Sequence, residues 1–438
     1  MILSIRYIYK LEKFFVKKLI FILFVLFIHS FAQAQLAAIY ADDFPKQAKG
    51  RIAITGDYDL NSNTITNSLL TKFYTGGYID ANLKNSVLAE IKNKNRIGGN
   101  YSYGFYAAFQ PDSFNHKRNI SFFVSVRDRF HADARFSNDA YKLAFYGNAQ
   151  YAGKTAYLDG LNTNIIHYQQ FQIGFSTANI DSVARWGIGI SFLKGQDYIS
   201  VLAKKAQLFT SADGQYIDFA TDISAVKSDT SKSGLASASG YGASVDMYFE
   251  APFQTVLGSS KVRIAISDLG LIRFNKQTMS LSQDSTFHYS GVQISSFFAL
   301  QDSTYGSVSR DSLINSIAPF KKKSYSATLP AVLDLAFETQ ISTRFHITEG
   351  IRHVFNANYS VLAYVKGAYY FTPKFMLSGT IGYGGYGGYG RLNYGLGLFA
   401  NLKNNVVIYA GSNNLEGYIV PKYNAGQGVY VSLIKNFK

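Results

Sequence analysis

The chain has 438 residues, 43 basic and 28 acidic, for a formal charge of +15. Apolar residues make up 47 %, charged residues only 16 %, and there is no cysteine. That apolar content excludes a disordered chain, and the missing cysteine excludes a disulfide scaffold, an iron–sulfur protein, a thiol enzyme and a Cys-anchored lipoprotein.

Residues 1–34 read as a secretory presequence. Arg6, Lys10, Lys13, Lys17 and Lys18 form a basic start, 19–28 an apolar core, and Ala32-Gln33-Ala34 a small-x-small cleavage pattern before Gln35. The apolar run falls short of the roughly 20 residues a spanning helix needs. The presequence carries five bases and one acid, so its removal lowers the charge from +15 to +11. A short periplasmic segment, 35–50, then leads into the main body at 51–438.

From residue 51 onward the apolar residues recur with period two. The first strand is placed near 51–59 and is followed by a long loop, 60–97. Within that loop Ile79, Leu83, Val87, Leu88 and Ile91 share one helical face behind Asp80 as N-cap, which predicts a helix over 80–94. Strands follow at 98–110 and 119–130. In the second, Ile120, Phe122, Val124 and Val126 alternate with Ser121, Ser125, Arg127 and Arg129, with Phe123 the one large exception. After a loop at 131–164 come strands at 165–177 and 185–194, where Trp186, Ile188, Ile190 and Phe192 alternate with Arg185, Gly187, Gly189 and Ser191. A loop at 195–239, Ser-rich over 227–239, precedes strands at 240–250 and 261–274. Another loop spans 275–328. The remaining strands fall at 329–340, 344–354, 359–371, 375–385, 390–401, 405–413 and 427–437. Positions 382–390 (GYGGYGGYG) read as a tight hairpin whose tyrosines join an aromatic girdle.

A sandwich also shows period two. Length separates the two, since barrel strands need about 9–11 residues and globular strands average nearer 5–6. The count here is about 14, an even number, as single-chain bacterial barrels require. Short turns at 111–118, 178–184, 251–260, 341–343, 372–374 and 402–404 fall on one side and the four long loops on the other. The fold class is therefore all-β: a transmembrane antiparallel β-barrel with short periplasmic turns, long extracellular loops and a short helix in the first of them. Its place is the outer membrane.

Reactive constellations are scarce. His346, Glu349 and His353 are close in sequence, but strand positions three apart face opposite sides, and no zincin spacing occurs. Asp213-Gly214 reads as a turn, not a calcium loop. No nucleophile elbow is present, and no Lys-Ser/Thr follows the glycine-rich stretch to cradle phosphate. The expectation is no metal, no cofactor and no enzymatic activity. The basic residues are dispersed, which argues against nucleic acid; membrane lipid and lipopolysaccharide account for the positive charge more simply. Arg127, Arg129, Arg185, Arg263, Lys366 and Arg391 sit on the polar faces of their strands and are the candidate lumen-lining residues. Either they pair with Asp246, Glu250 and other carboxylates to fill a narrow lumen, or they form a basic constriction that favours anions.

Ser267-Asp268-Leu269-Gly270-Leu271-Ile272, Leu329-Pro330 opening a strand, the GYGG at 382–385, Tyr146-Gly147-Asn148 and the closing strand at 428–437 occur in an order that resembles an uncharacterised family of exported barrels from Bacteroidota. That family is distantly similar to fatty-acid transporters (FadL-like) and secretion-associated outer-membrane barrels. The resemblance covers the whole mature chain and implies the barrel, but no site residue. The chain departs from better-known barrels by ending Phe437-Lys438, with the aromatic one position early. The functional expectation is a channel or transporter for small solutes. The alternative is a non-conducting scaffold that binds a surface or secretion partner through its long loops.

Overall fold

Period two places successive side chains on opposite faces of a strand, so each strand here has a greasy face and a polar or small one. The computed structural model describes residues 48–114, 120–177, 184–229, 237–290 and 320–437. The presequence, most of 35–50, parts of several turns and loops, and Lys438 lie outside them.

The strands are β1 Gly50–Ser62, β2 Asn95–Phe109, β3 Ile120–Phe136, β4 Lys154–Tyr157, β5 Asn162–Thr177, β6 Arg185–Thr210, β7 Ile217–Lys227, β8 Gly240–Thr255 and β9 Gly258–Phe274. They continue as β10 Met279–Tyr289, β11 Lys321–Lys322, β12 Tyr325–Thr328, β13 Val332–Gln340, β14 Phe345–Val354, β15 Ser360–Thr372, β16 Phe375–Gly385, β17 Gly388–Asn401, β18 Val406–Ser412 and β19 Gln427–Phe437. Fourteen of these form an all-β closed antiparallel barrel. The wall runs β1-β2-β3-β5-β6-β8-β9-β13-β14-β15-β16-β17-β18-β19, and β19 pairs with β1 from Gly50↔Phe437 to Leu60↔Gln427. The strand expected at 344–354, on which the even count depended, is β14 and pairs on both sides.

The faces fall where alternation puts them. Trp186, Ile190 and Phe192 point outward, while Arg185, Gly187, Gly189 and Ser191 are buried inside. Ile54, Ile173 and Ile190 are 64 %, 67 % and 58 % exposed, parts of an apolar belt around the outer surface. Phe123, the exception in its strand, turns inward and packs with Ala53, Tyr106, Val407 and Ile434 in an apolar layer near the short-turn end.

The long-loop end corrects several expectations. The 195–239 and 275–328 segments are not merely loops. β6 runs on to Thr210, beyond the wall, and pairs there with β7, which pairs in turn with β10; β12 pairs with the upper part of β9. The Ile/Val/Phe content of 217–227 carried that signal, but its polar alternation is weak. The helix expected over 80–94 is shorter, α2 at Ala81–Glu90, with Asp80 accepting the Leu83 N–H at 2.7 Å. The chain ladders again from Asn95, which ends it early. Two further helices accompany it, α1 at Asn67–Thr75 and α3 at Asn138–Tyr146. Leu69, Leu70, Val87 and Tyr141 join the three in an apolar cluster outside the wall.

The glycine-rich hairpin is also corrected. Tyr383 and Tyr389 face outward, but Tyr386 is buried in the lumen. Gly385 and Gly388 hold left-handed φ of 64°, which turns the chain inward. Tyr386 lies so close over Gly98 of β2 that a Cβ there would meet its ring at 2.2 Å. Gly98→Ala is therefore expected to cost about 1–3 kcal/mol through overpacking, read as a lower urea midpoint, whereas Gly56→Ala, with open space around its Cβ, should be far milder.

Candidate functional site

The inward faces converge on one polar network in the lumen. Arg127 and Arg129 stand two apart on the inner face of β3. Arg127 Nη2 lies 3.4 Å from Asp246 Oδ2 on β8, reaching past β5 and β6. Arg129 Nη1 lies 2.7 and 2.8 Å from the two carboxylate oxygens of Asp268 on β9. Gln170 and Gln172 on β5 knit the pairs together. Gln172 Nε2 donates to Asp246 Oδ2 at 2.8 Å, Gln170 Nε2 donates to Ser191 Oγ at 2.9 Å, and Arg129 Nη1 donates to Gln170 Oε1 at 3.2 Å. Arg129 also rests over the Tyr168 ring, 5.9 Å from its centroid.

Asp268 reaches this network through its backbone. It adopts a left-handed φ of 59°, a conformation Asp tolerates better than most residues. The β8–β9 ladder slips here, with Val245 opposite Leu269 but Met247 opposite Ile266. This bulge re-aims the Asp268 side chain into the lumen, and its N–H donates to Asp246 Oδ1 at 2.8 Å. The SDLGLI stretch thus has a structural purpose.

A second group lies toward the short turns. Glu250 receives Arg185 at 2.6 Å and Arg263 at 3.1 Å, and Glu338 receives Lys261 at 3.5 Å and His346 at 3.5 Å. Lys366 is on the inner face of β15, opposite Thr348. Arg391 stands apart from both groups. At the long-loop end of β17 it meets Glu90 of α2 at 3.0 Å and tethers the helical cluster over the mouth. Of the six basic residues expected to line the lumen, Arg127 and Arg129 share one network, Arg185 and Arg263 share Glu250, Lys366 lies within electrostatic reach of Glu338 in that second group, and Arg391 lies elsewhere. Sequence reasoning missed Gln170, Gln172 and Asp268. The first two were signalled by their alternation with Phe171 and Ile173; the third needed the bulge.

The mouth is bridged. Going round the ring from β3 to the turn between β14 and β15, six wall strands intervene one way and seven the other, so the two lie on opposite sides. Yet Asn358 in that turn donates its N–H to Asp133 Oδ1 of β3 at 2.9 Å. Tyr386 Oη lies 3.3 Å from His131 Nε2 on β3, and Arg96 of β2 donates to Ser360 Oγ of β15.

Among the described residues no group of three or more His, Asp or Glu gathers as a metal site. His346 is held by Glu338, and His353 packs edge-on against Phe355 on the outer face.

The family model for a family of unknown function, DUF5723, matches residues 45–413. The chain belongs to that family. No curated protein matches its sequence. Among solved structures it is similar to a mutant of the TodX monoaromatic hydrocarbon channel, at TM-score 0.44 and 9 % identity over 93 % of this chain and 96 % of that one. It is also similar to a Pseudomonas aeruginosa FadL homologue, at 0.42 and 11 % over 89 % and 91 %. A third is the translocator domain of the autotransporter NalP from Neisseria meningitidis, at 0.36 and 7 % over 92 % and 94 %.

Two outcomes follow from this geometry. Asp268→Gly keeps the left-handed backbone but strands Arg129, and is expected to cost about 3–5 kcal/mol of unfolding free energy. Asp268→Asn, which keeps a hydrogen-bonding oxygen, should cost less; a glycine variant as stable as wild type would show that the pair is dispensable.

The other concerns Glu416, in the short helix α4 at Glu416–Ile419 between β18 and β19. Its Oε2 accepts the Tyr394 N–H at 2.8 Å, while Oε1 is buried without a hydrogen-bond partner among the described residues. Burial pushes this carboxyl up to about 8. A raised folded-state pKa stabilises docking in the protonated form, fully below the ordinary carboxylate range, and the gain is lost as pH rises through about 8. Amide protection factors over 413–426, corrected for the intrinsic rise of exchange with pH, should therefore fall on the alkaline side of that value in wild type and hold in Glu416→Gln.

Proposed function

We propose that the chain is an outer-membrane barrel that passes small solutes through a lumen held shut by its ion-pair network and bridged mouth. The outer apolar belt supports the membrane placement. So large an exposed apolar surface suits lipid and is rare on soluble monomers. In this orientation the short turns and chain ends are periplasmic, and the long loops meet lipopolysaccharide outside. The reading includes no enzymatic reaction.

The observation that carries permeation is the character of the filling. Buried ion pairs are weak stabilisers, and apolar residues of similar volume would often seal a lumen at least as well. Charged and amide groups strung from β3 to β8 and β9 can instead exchange partners with water or solute when the lumen opens. The contacts across the mouth favour a second reading, a non-conducting scaffold whose long loops hold a surface or secretion partner.

Planar-bilayer recording separates the two. Arg127→Ala combined with Asp246→Ala removes both partners at once and so avoids a stranded charge. Wild type is expected to open rarely and the double variant to conduct steadily. Silence in both, with the barrel folded by heat-modifiable gel migration, would leave the scaffold reading.

A further inference from the structure

A cavity of about 270 Å³ sits at the long-loop end, between the start of β5, the end of β12, the upper part of β6 and the turn that bridges the mouth. Asp133, Asn164, Tyr198, Ser200, Asn356 and Asn358 carry its chemistry. Among the described residues no lysine or arginine lines it. Its one carboxylate is already engaged, with Asp133 Oδ1 accepting the Asn358 N–H at 2.9 Å and Oδ2 lying 2.8 Å from His131 Nε2. The turn is pinned on two other sides. Asn164 Nδ2 donates to the Asn356 carbonyl at 3.2 Å, and Asn356 Nδ2 donates to the Leu329 carbonyl at 3.0 Å. Asn164 Oδ1 is buried beside this cavity with no hydrogen-bond partner among the described residues. A buried amide oxygen left so costs about 1–3 kcal/mol, and a rotation of the Asn164 amide toward the cavity would bring it to a donor there.

These features narrow the ligand. Without a cation in the lining, phosphate, sulfate and carboxylate have no counter-charge. Without a free carboxylate, an ammonium has none either. The lining is too polar for a hydrocarbon chain. What remains is a neutral molecule that carries donors and acceptors on adjacent atoms. A sugar ring fits, because each hydroxyl both donates and accepts and can pair with amides and hydroxyls alike. The volume lies just under the roughly 300 Å³ lower end of small-ligand sites, which suits one sugar unit or the end of a chain.

We propose that this cavity binds a neutral saccharide unit, with Asn164, Ser200 and the Asn356–Asn358 turn as its recognition groups. As a statement about solute class it rests on the permeation reading, since the cavity adjoins the turn that bridges the mouth. Binding itself does not.

The test uses the full mature chain, folded in a zwitterionic detergent that carries no sugar. Saturation-transfer NMR is run with glucose, galactose, mannose and N-acetylglucosamine at millimolar concentration. At least one should receive saturation, and Asn164→Ala and Ser200→Val should each weaken it by roughly tenfold, the worth of one lost hydrogen-bonding group. Glu349→Gln, on the outer face of β14, should leave it unchanged. Failure of all four sugars on folded protein would overturn the proposal. So would binding that survives both cavity variants, or competition by inorganic phosphate or laurate. Sugar binding in a protein whose wild type and lumen variants do not conduct would uphold the cavity while overturning permeation. Conductance without sugar binding would do the reverse.

Discussion

A β-strand carries a row of unpaired N–H and C=O groups along each edge, and a sheet escapes that liability fully only by closing on itself. Here closure is made by β19 lying against β1 over eleven residue pairs, Gly50↔Phe437 to Leu60↔Gln427. Once the ring closes, period two leaves each side chain only two destinations, the belt outside or the lumen inside. Everything else in the molecule is a consequence of what the inner face has to accommodate. The outer face needs only to be apolar, and it is: isoleucine, leucine, valine and phenylalanine recur around it.

The inner face solves its problem in layers. Near the short turns, Phe123, Tyr106 and Ile434 fill the space with apolar bulk. Next to them lie ion pairs centred on Glu250 and Glu338, then the Arg127–Asp246 and Arg129–Asp268 pairs with their two glutamines. Ile166, Leu193, Ile272 and Phe274 form a further apolar cluster against the wall. At the mouth, two turns fold inward, one bringing Tyr386 to His131 and the other Asn358 to Asp133. Charges taken out of water are costly unless paired and hydrogen-bonded, and the glutamines and the Asp268 bulge provide that pairing. The same arrangement explains why a chain with several inward arginines does not present a bare basic ring.

The strands that project beyond the wall have a different role. β6 continues past its pairing with β8 to carry β7 and, through it, β10, so the described parts of two of the long connections include sheet. The three helices over the first and second connections share their own apolar core and hold to the rim through Glu90 and Arg391. Together these raise walls around the mouth, and the polar cavity beside Asn356 lies within them.

How much of this could be read beforehand follows from the range of each interaction. Strand number, wall order, which side chains face out and which face in, and the Asp80 cap depend on local pattern and parity, so the sequence by itself determined them. It also supplied Asp246 and Glu250 as acidic partners for inward arginines, because alternation places them on the same face. Which arginine meets which carboxylate was decided only by the tertiary structure, as was the inward turn of Tyr386 in a stretch whose other tyrosines face out. The extension of β6 beyond the wall, the Asp268 bulge and the contacts that cross the mouth belong with these. The ion pairs, the seat of Tyr386 and the contacts that cross the mouth join residues that are far apart in sequence and become neighbours only when the ring closes, and a short-range pattern carries no information about which far residue will stand opposite.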